Sequence, residues 1–311
     1  MLVKLLSGKS FFVQIILGIL FLILLFFQIQ HVNLDWQSIS GASLFTLACV
    51  VTVLFFHSTN LLKARGIAIL YFLTWVLCFS EIALDFKTAS ALLTCTLIYW
   101  RFLAAEQSSE NSKFLFDVGI LLSISGFFYP PSFFLSGFLV ILFSYTRSVN
   151  LKGFILLLMG FTLPLVVGVQ LLYLIGQMEW LNSYQYAFCL DFISFPPWGL
   201  IPVGILVVLS WIDHLHQSMT QDINKRHKYF LTFLYFLNWI LIIVLYAGEN
   251  TNMLAFLGLP IAIFLTRFTQ YQKSETLKEV IIWIYLATMI GYLFRAELVE
   301  LYQDLLGNIA F

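Results

Sequence analysis

Charge is what this chain has least of. Its 311 residues carry 16 Lys and Arg against 16 Asp and Glu, so 10% are charged, where a soluble domain carries about 25%. A soluble surface cannot be covered that thinly. The zero net charge also leaves no basic field for a nucleic acid to follow, so no nucleic-acid partner is expected. Cysteine is scarce as well. Cys49, Cys78, Cys95 and Cys189 show neither a CxxC pair nor a metal-ligand spacing, which excludes a disulfide scaffold. Long polar loops are missing, so there is no room for a separate soluble domain. No repeat of the helix pattern is found, which counts against a transporter built from internal repeats.

What fills the chain is apolar. Hydrophobic residues make up 61%, with 33 Phe, 14 Tyr and 8 Trp, and the mean hydropathy is +0.94. The sequence therefore predicts an all-α polytopic transmembrane bundle, because a helix satisfies its own backbone groups in lipid. About 20 mostly apolar residues cross the hydrocarbon core. Eleven spans are predicted, within a range of ten to twelve: 11–29, 41–56, 67–85, 88–105, 114–129, 131–145, 153–176, 198–212, 229–246, 253–267 and 279–294. The span 88–105 is the most diluted, by Thr88, Ser90, Thr94 and Thr96. Residues 11–29 exceed a signal-peptide apolar core and no small-residue cleavage motif follows, so an uncleaved first helix is expected.

Lys and Arg set the orientation, because cytoplasmic loops retain positive charge. With the N-terminus inside, 14 of the 16 basic residues fall on the cytoplasmic side and only Lys87 and Arg295 outside. The expected topology is thus N-in and C-out, with residues 1–294 as one transmembrane domain. Residues 295–306, RAELVELYQDLL, place Leu298, Leu301, Tyr302 and Leu305 on one helical stripe. This predicts that 295–311 form an amphipathic helix on the outer surface, a place for contact with other membrane proteins. The loop 213–228, with His214, His216 and His227, reads as a solvated basic turn. Gln14, Gln170 and Asn238, inside spans, read as interhelical hydrogen-bond partners.

The carboxylates gather on the other face. Asp35, Glu81, Asp85, Glu179, Asp191 and Glu249 all fall at or beyond the outer half in this topology. Acids near a membrane line a cavity more often than they face lipid. Glu81 and Asp85 stand four apart, which on one helix would place both on a single face. Such a pair either titrates as an acid–base couple, since like charges raise a pKa, or reaches for headgroups and Lys87. The outer loop 177–197 has no Lys or Arg and is dense in aromatics, including Trp180, Tyr184 and Tyr186. It reads as an interfacial anchor or as one wall of a cavity that receives a lipid chain. The candidate site residues are therefore Asp35, Glu81, Asp85 and Glu249 for catalysis. Lys87, Arg295, Trp180, Tyr184 and Tyr186 are the candidates for holding a lipid or phosphate. No ligand spacing singles out a metal.

The stretch FDVGILLSISGFFYPPSFFLSGFLVILFSYTRSVNLKGFILLLMGFTLPLVVGVQLLY and the block ENTNMLAFLGLPIAIFLTRF resemble an uncharacterised family of multi-pass inner-membrane proteins from Bacteroidota. The same blocks resemble integral-membrane glycosyltransferases of the GT-C type. That resemblance implies a bacterial inner-membrane protein using a polyprenyl-phosphate-linked sugar in envelope glycoconjugate biogenesis. It also implies a catalytic base in the first outer loop, here Asp35, and a polar loop at Gly248–Asn252. The chain departs from the pattern in having one acid in that first loop and Glu249 where an Arg-rich segment is expected. Lys87 and Arg295 are the only outer cations for a phosphate unless a divalent metal at His31, Asp35 or Glu249 substitutes. The expected function is a GT-C-like protein handling a lipid-linked sugar. A non-catalytic subunit of an envelope-biogenesis or secretion complex is the alternative, and a transporter the second.

Overall fold

A computed structural model describes residues 6, 11–29, 35–59, 61–105, 113–135, 151–179, 198–217, 223–246 and 250–295. Among these residues every regular element is helical. In chain order they are α1 (Phe11–Ile29), α2 (Trp36–Ser58), α3 (Arg65–Leu77), α4 (Phe86–Ala105), α5 (Lys113–Phe128), α6 (Leu151–Ile175), α7 (Ile201–Gln217), α8 (Ile223–Tyr246), α9 (Gly258–Tyr271) and α10 (Glu275–Leu293). Short 3-10 turns at Ser80–Leu84, Pro130–Phe134, Trp198–Leu200 and Thr251–Leu257 join or lead into them. Five helical stretches are long and apolar enough to cross a membrane: Trp36–Ser58, Lys152–Ile175, Arg226–Tyr246, Thr251–Tyr271 and Glu275–Leu293. The chain is a membrane protein. Four shorter apolar helices, Ile16–Phe26, Arg65–Leu77, Phe114–Phe128 and Ile201–His214, complete the apolar set.

The contacts between helices fix their directions. Gly41 of α2 meets Phe86 at the start of α4, and Phe55 meets Tyr99 further along both, so α2 and α4 run parallel. Gly160 of α6 lies on Phe116 and Gly168 on Phe127, so α5 and α6 also run parallel. Residues 136–145 of the predicted span 131–145, which stands between them in sequence, lie outside the described residues.

The diluted span 88–105 sits in the middle of the bundle. Ala89, Ala91, Cys95, Ile98 and Tyr99 of α4 are buried. Two of its buried hydroxyls return to their own helix: Thr94 Oγ1 donates to Ser90 O at 2.9 Å and Thr96 Oγ1 to Leu92 O at 2.8 Å. Polar span residues elsewhere behave differently from expectation. Gln170 is exposed because α6 packs on α5 along one side only. The buried amide nitrogen of Asn238 meets no partner among the described residues.

Two interruptions of helical backbone shape the end of the bundle that holds the start of α2. Helix α3 stops at Leu77 and the chain turns through Ser80–Leu84, while α9 is preceded by the turn Thr251–Leu257. Irregular backbone at membrane depth is tolerated where protein covers it. Met253, Leu254, Ala255, Phe256 and Leu257 are all buried, and Phe256 stacks on Trp239 at 4.1 Å. The Leu254 carbonyl accepts from Trp75 Nε1 at 2.8 Å. Trp75→Phe keeps an aromatic ring of smaller volume but removes the indole N–H and leaves that carbonyl unmet. It should cost about 1–3 kcal/mol, read as a lowered thermal midpoint of the purified protein, and an unchanged midpoint would remove this bond from the account.

Candidate functional site

The same end holds four of the eight described acids, Asp35, Glu81, Asp85 and Glu179, against only Lys87 and Arg295 of the described Lys and Arg, and we call it the acidic end. Glu81 is exposed within the Ser80–Leu84 turn. Its Oε2 accepts from Asn252 Nδ2 at 2.8 Å, a link across 171 positions of sequence that ties the two turns together. Asn252 is itself held, since its backbone N–H donates to Asn250 Oδ1 at 3.1 Å. Tyr292 of α10 lies near Thr251 and Glu81. Arg295 places its guanidinium 4.4 Å from the Tyr292 ring centroid, a cation–π contact. The Tyr292 ring packs on Phe79 at 5.6 Å, and Cys78 Sγ donates to Met289 O at 3.3 Å. Gly199 lies against the same ring: a Cβ there would stand 3.2 Å from Tyr292 Cδ2.

Three separate stretches, 78–85, 250–252 and 289–295, thus bring one carboxylate, an amide, a phenol and a guanidinium together at the top of an apolar bundle. Sequence reading picked out Glu81 and Arg295 but did not pair them. It placed Asn250–Asn252 in a polar loop without a partner, and Tyr292 it missed. The only sequence signal was the alternation of the spans, which puts all three stretches at one end.

The other predicted residues have different surroundings. Asp35 is the N-cap of α2: its Oδ1 accepts from Trp36 N at 2.6 Å, and Trp36 is exposed as an interfacial ring. Asp85 caps α4, accepting from Lys87 N at 3.1 Å, Thr88 N at 3.2 Å and Thr88 Oγ1 at 2.6 Å. Lys87 lies in the first turn of that helix. The expectation that Glu81 and Asp85 share a helical face does not hold. The backbone between them is a 3-10 turn that ends in extended geometry at Asp85 (φ −105°, ψ 110°), so α-helical spacing does not apply. The turn is pressed on α2, where a Cβ on Gly41 would come 2.7 Å from Ala83 O. Glu249, Trp180, Tyr184 and Tyr186 lie outside the described residues, as does the amphipathic segment from residue 296 onward. Among the described residues no three His, Cys, Asp or Glu side chains gather as metal ligands.

The opposite, basic end holds a correction. His214 is not in a solvated turn: α7 continues through it to Gln217, and the ring is 7% exposed. It meets Arg267 of α9 and packs on Tyr229 of α8 at 5.3 Å.

Compared with known proteins, residues 1–302 match the sequence model described as "Family of unknown function (DUF6427)". No curated protein and no solved structure matches the chain.

Proposed function

The chain belongs to the DUF6427 family of unknown function, and on that premise we propose that it handles a lipid-linked anionic substrate at its acidic end. The substrate class is a polyprenyl-phosphate-linked sugar, the membrane a bacterial inner membrane, and the face periplasmic, in keeping with the resemblance to GT-C-type transferases. The observation that carries this reading is the convergence of Glu81, Asn252, Tyr292 and Arg295 from three distant stretches.

In this reading Glu81 is the general base. It takes the proton of an acceptor hydroxyl as that oxygen attacks the anomeric carbon of the donor sugar. The bond from that carbon to the phosphate oxygen breaks, and polyprenyl phosphate leaves with the electron pair. Asn252 orients the carboxylate, and Arg295 meets the charge that develops on the departing phosphate. Asp35 serves chiefly as a helix cap.

Binding of a polyprenyl phosphate to the purified protein, followed by native mass spectrometry, tests the site without an assay for turnover. Arg295→Gln should weaken binding about tenfold or more, as loss of a charge-assisted contact does. Equal binding of the uncharged polyprenol, or no change in Arg295→Gln, would count against a phosphate site here.

The second reading, a non-catalytic subunit, draws support from α6. Only 6% of its apolar window is buried, and its outer sides, with Leu163, Val166, Leu171 and Leu174 exposed, present a surface for another membrane protein. Co-purification of a partner lost on mutation of that surface, with no change in lipid-linked sugars, would favour it.

A further inference from the structure

Arg267 lies about one turn from the end of α9, at the basic end, and its side chain is 3% exposed. The Tyr229 ring covers the guanidinium at 3.9 Å, and the Tyr271 ring stands at 5.4 Å. Nη1 faces His214 Nδ1. Nε and Nη2 are buried with no hydrogen-bond partner among the described residues.

These two nitrogens share one edge of the planar group. That edge takes both oxygens of a phosphate or carboxylate side by side. An ionised guanidinium buried with its better fork unused is costly, and such an orphan calls for an occupant. Asp213 is within electrostatic range but does not bond the open edge. The surrounding ends are basic. Lys63 and Arg65 flank the start of α3, and Tyr229, which donates to Leu61 O at 3.2 Å, follows Arg226 and Lys228 in α8.

We infer that the open edge of Arg267, framed by Tyr229 and His214, binds a single phosphate group at the basic end of the bundle. The site is independent of the acidic-end site and rests on none of its residues. The phosphate comes either from a phospholipid headgroup of that leaflet or from a soluble phosphorylated compound. Because the edge is covered, entry requires a side chain at the rim to move.

The test uses the full chain carrying Arg295→Gln, so that the acidic end contributes no phosphate contact, in an uncharged detergent. Its thermal midpoint is followed against inorganic phosphate, dioctanoyl phosphatidic acid and, at equal ionic strength, sodium chloride. Saturable stabilisation by a phosphate probe but not by chloride is expected, and Arg267→Lys should weaken it about tenfold or more, since the fork is lost while the charge stays. A response to phosphatidic acid alone assigns the headgroup, and a response to both assigns a phosphate that enters from water. Slower hydrogen exchange in the peptides that carry Arg267 and Tyr229 with the same probe, and not with chloride, decides the matter without a variant should Arg267→Lys fail to fold. Absence of stabilisation by both phosphate probes, unchanged affinity in Arg267→Lys, or, where that variant fails to fold, unchanged exchange in those peptides would each overturn the site.

Discussion

Glu81→Gln is expected to lower turnover at least about a hundredfold, while Asp35→Asn leaves it within about threefold. The difference comes from what each carboxylate does. Gln at 81 is nearly the same size and its carbonyl can still accept from Asn252, which now donates to Glu81 at 2.8 Å, so the link between the two turns survives. What is lost is the basic oxygen, and positioned general bases contribute roughly 10²–10⁴ in rate. Asn at 35 keeps the acceptor that Trp36 N uses at 2.6 Å, and Asn caps helices about as well as Asp. Asp35→Ala would remove the cap, costing about 1 kcal/mol of stability without the kinetic defect. The readout is the rate at which membranes carrying each variant consume the lipid-linked sugar. The reverse order, with Asp35→Asn dead and Glu81→Gln active, would return the base to the first loop and remove Glu81 from the mechanism.

The second large effect is on stability. Helices α5 and α6 touch backbone to backbone: a Cβ on Gly160 would stand 2.3 Å from Phe116 O, and one on Gly119 2.5 Å from Leu157 O. Small residues let membrane helices approach this closely, and packing replaces the hydrophobic drive that lipid cannot supply. Backbone cannot rotate aside as a side chain can, so Gly160→Leu forces the helices apart. A loss of about 3 kcal/mol, at the upper end for overpacking, should appear as a thermal midpoint lowered by several degrees. Gly204→Leu is the control, because a Cβ there meets nothing within 4 Å, and it should be silent. Equal effects from the two substitutions would mean that the crossing of α5 and α6 contributes little to stability.

Membrane character and helical class were legible from composition, because 10% charge and 61% hydrophobic residues leave few alternatives. The spacing of apolar runs located the helices, since length and hydropathy are local properties. Breaks in the helices were not legible. The stretch 67–85 reads as one apolar run, yet α3 stops at Leu77, because the next turn is pinned under Gly41 of α2 by a contact no local pattern records. For the same reason Glu81 and Asp85 were expected on one face and are not. Asp35 stood out as the acid of a short loop, and the directly following Trp36 N–H that it caps was within reach of a capping argument. His214 and Arg267 looked like members of a basic surface. Their burial depends on three helices meeting, which the sequence does not display.

The most direct measurement is the profile of polyprenyl-linked sugars in native membranes of the wild type, a deletion strain, and the deletion strain carrying Glu81→Gln at matched expression. The account predicts that one lipid-linked sugar accumulates in the deletion strain and accumulates equally with Glu81→Gln. Identical profiles in all three strains would contradict it.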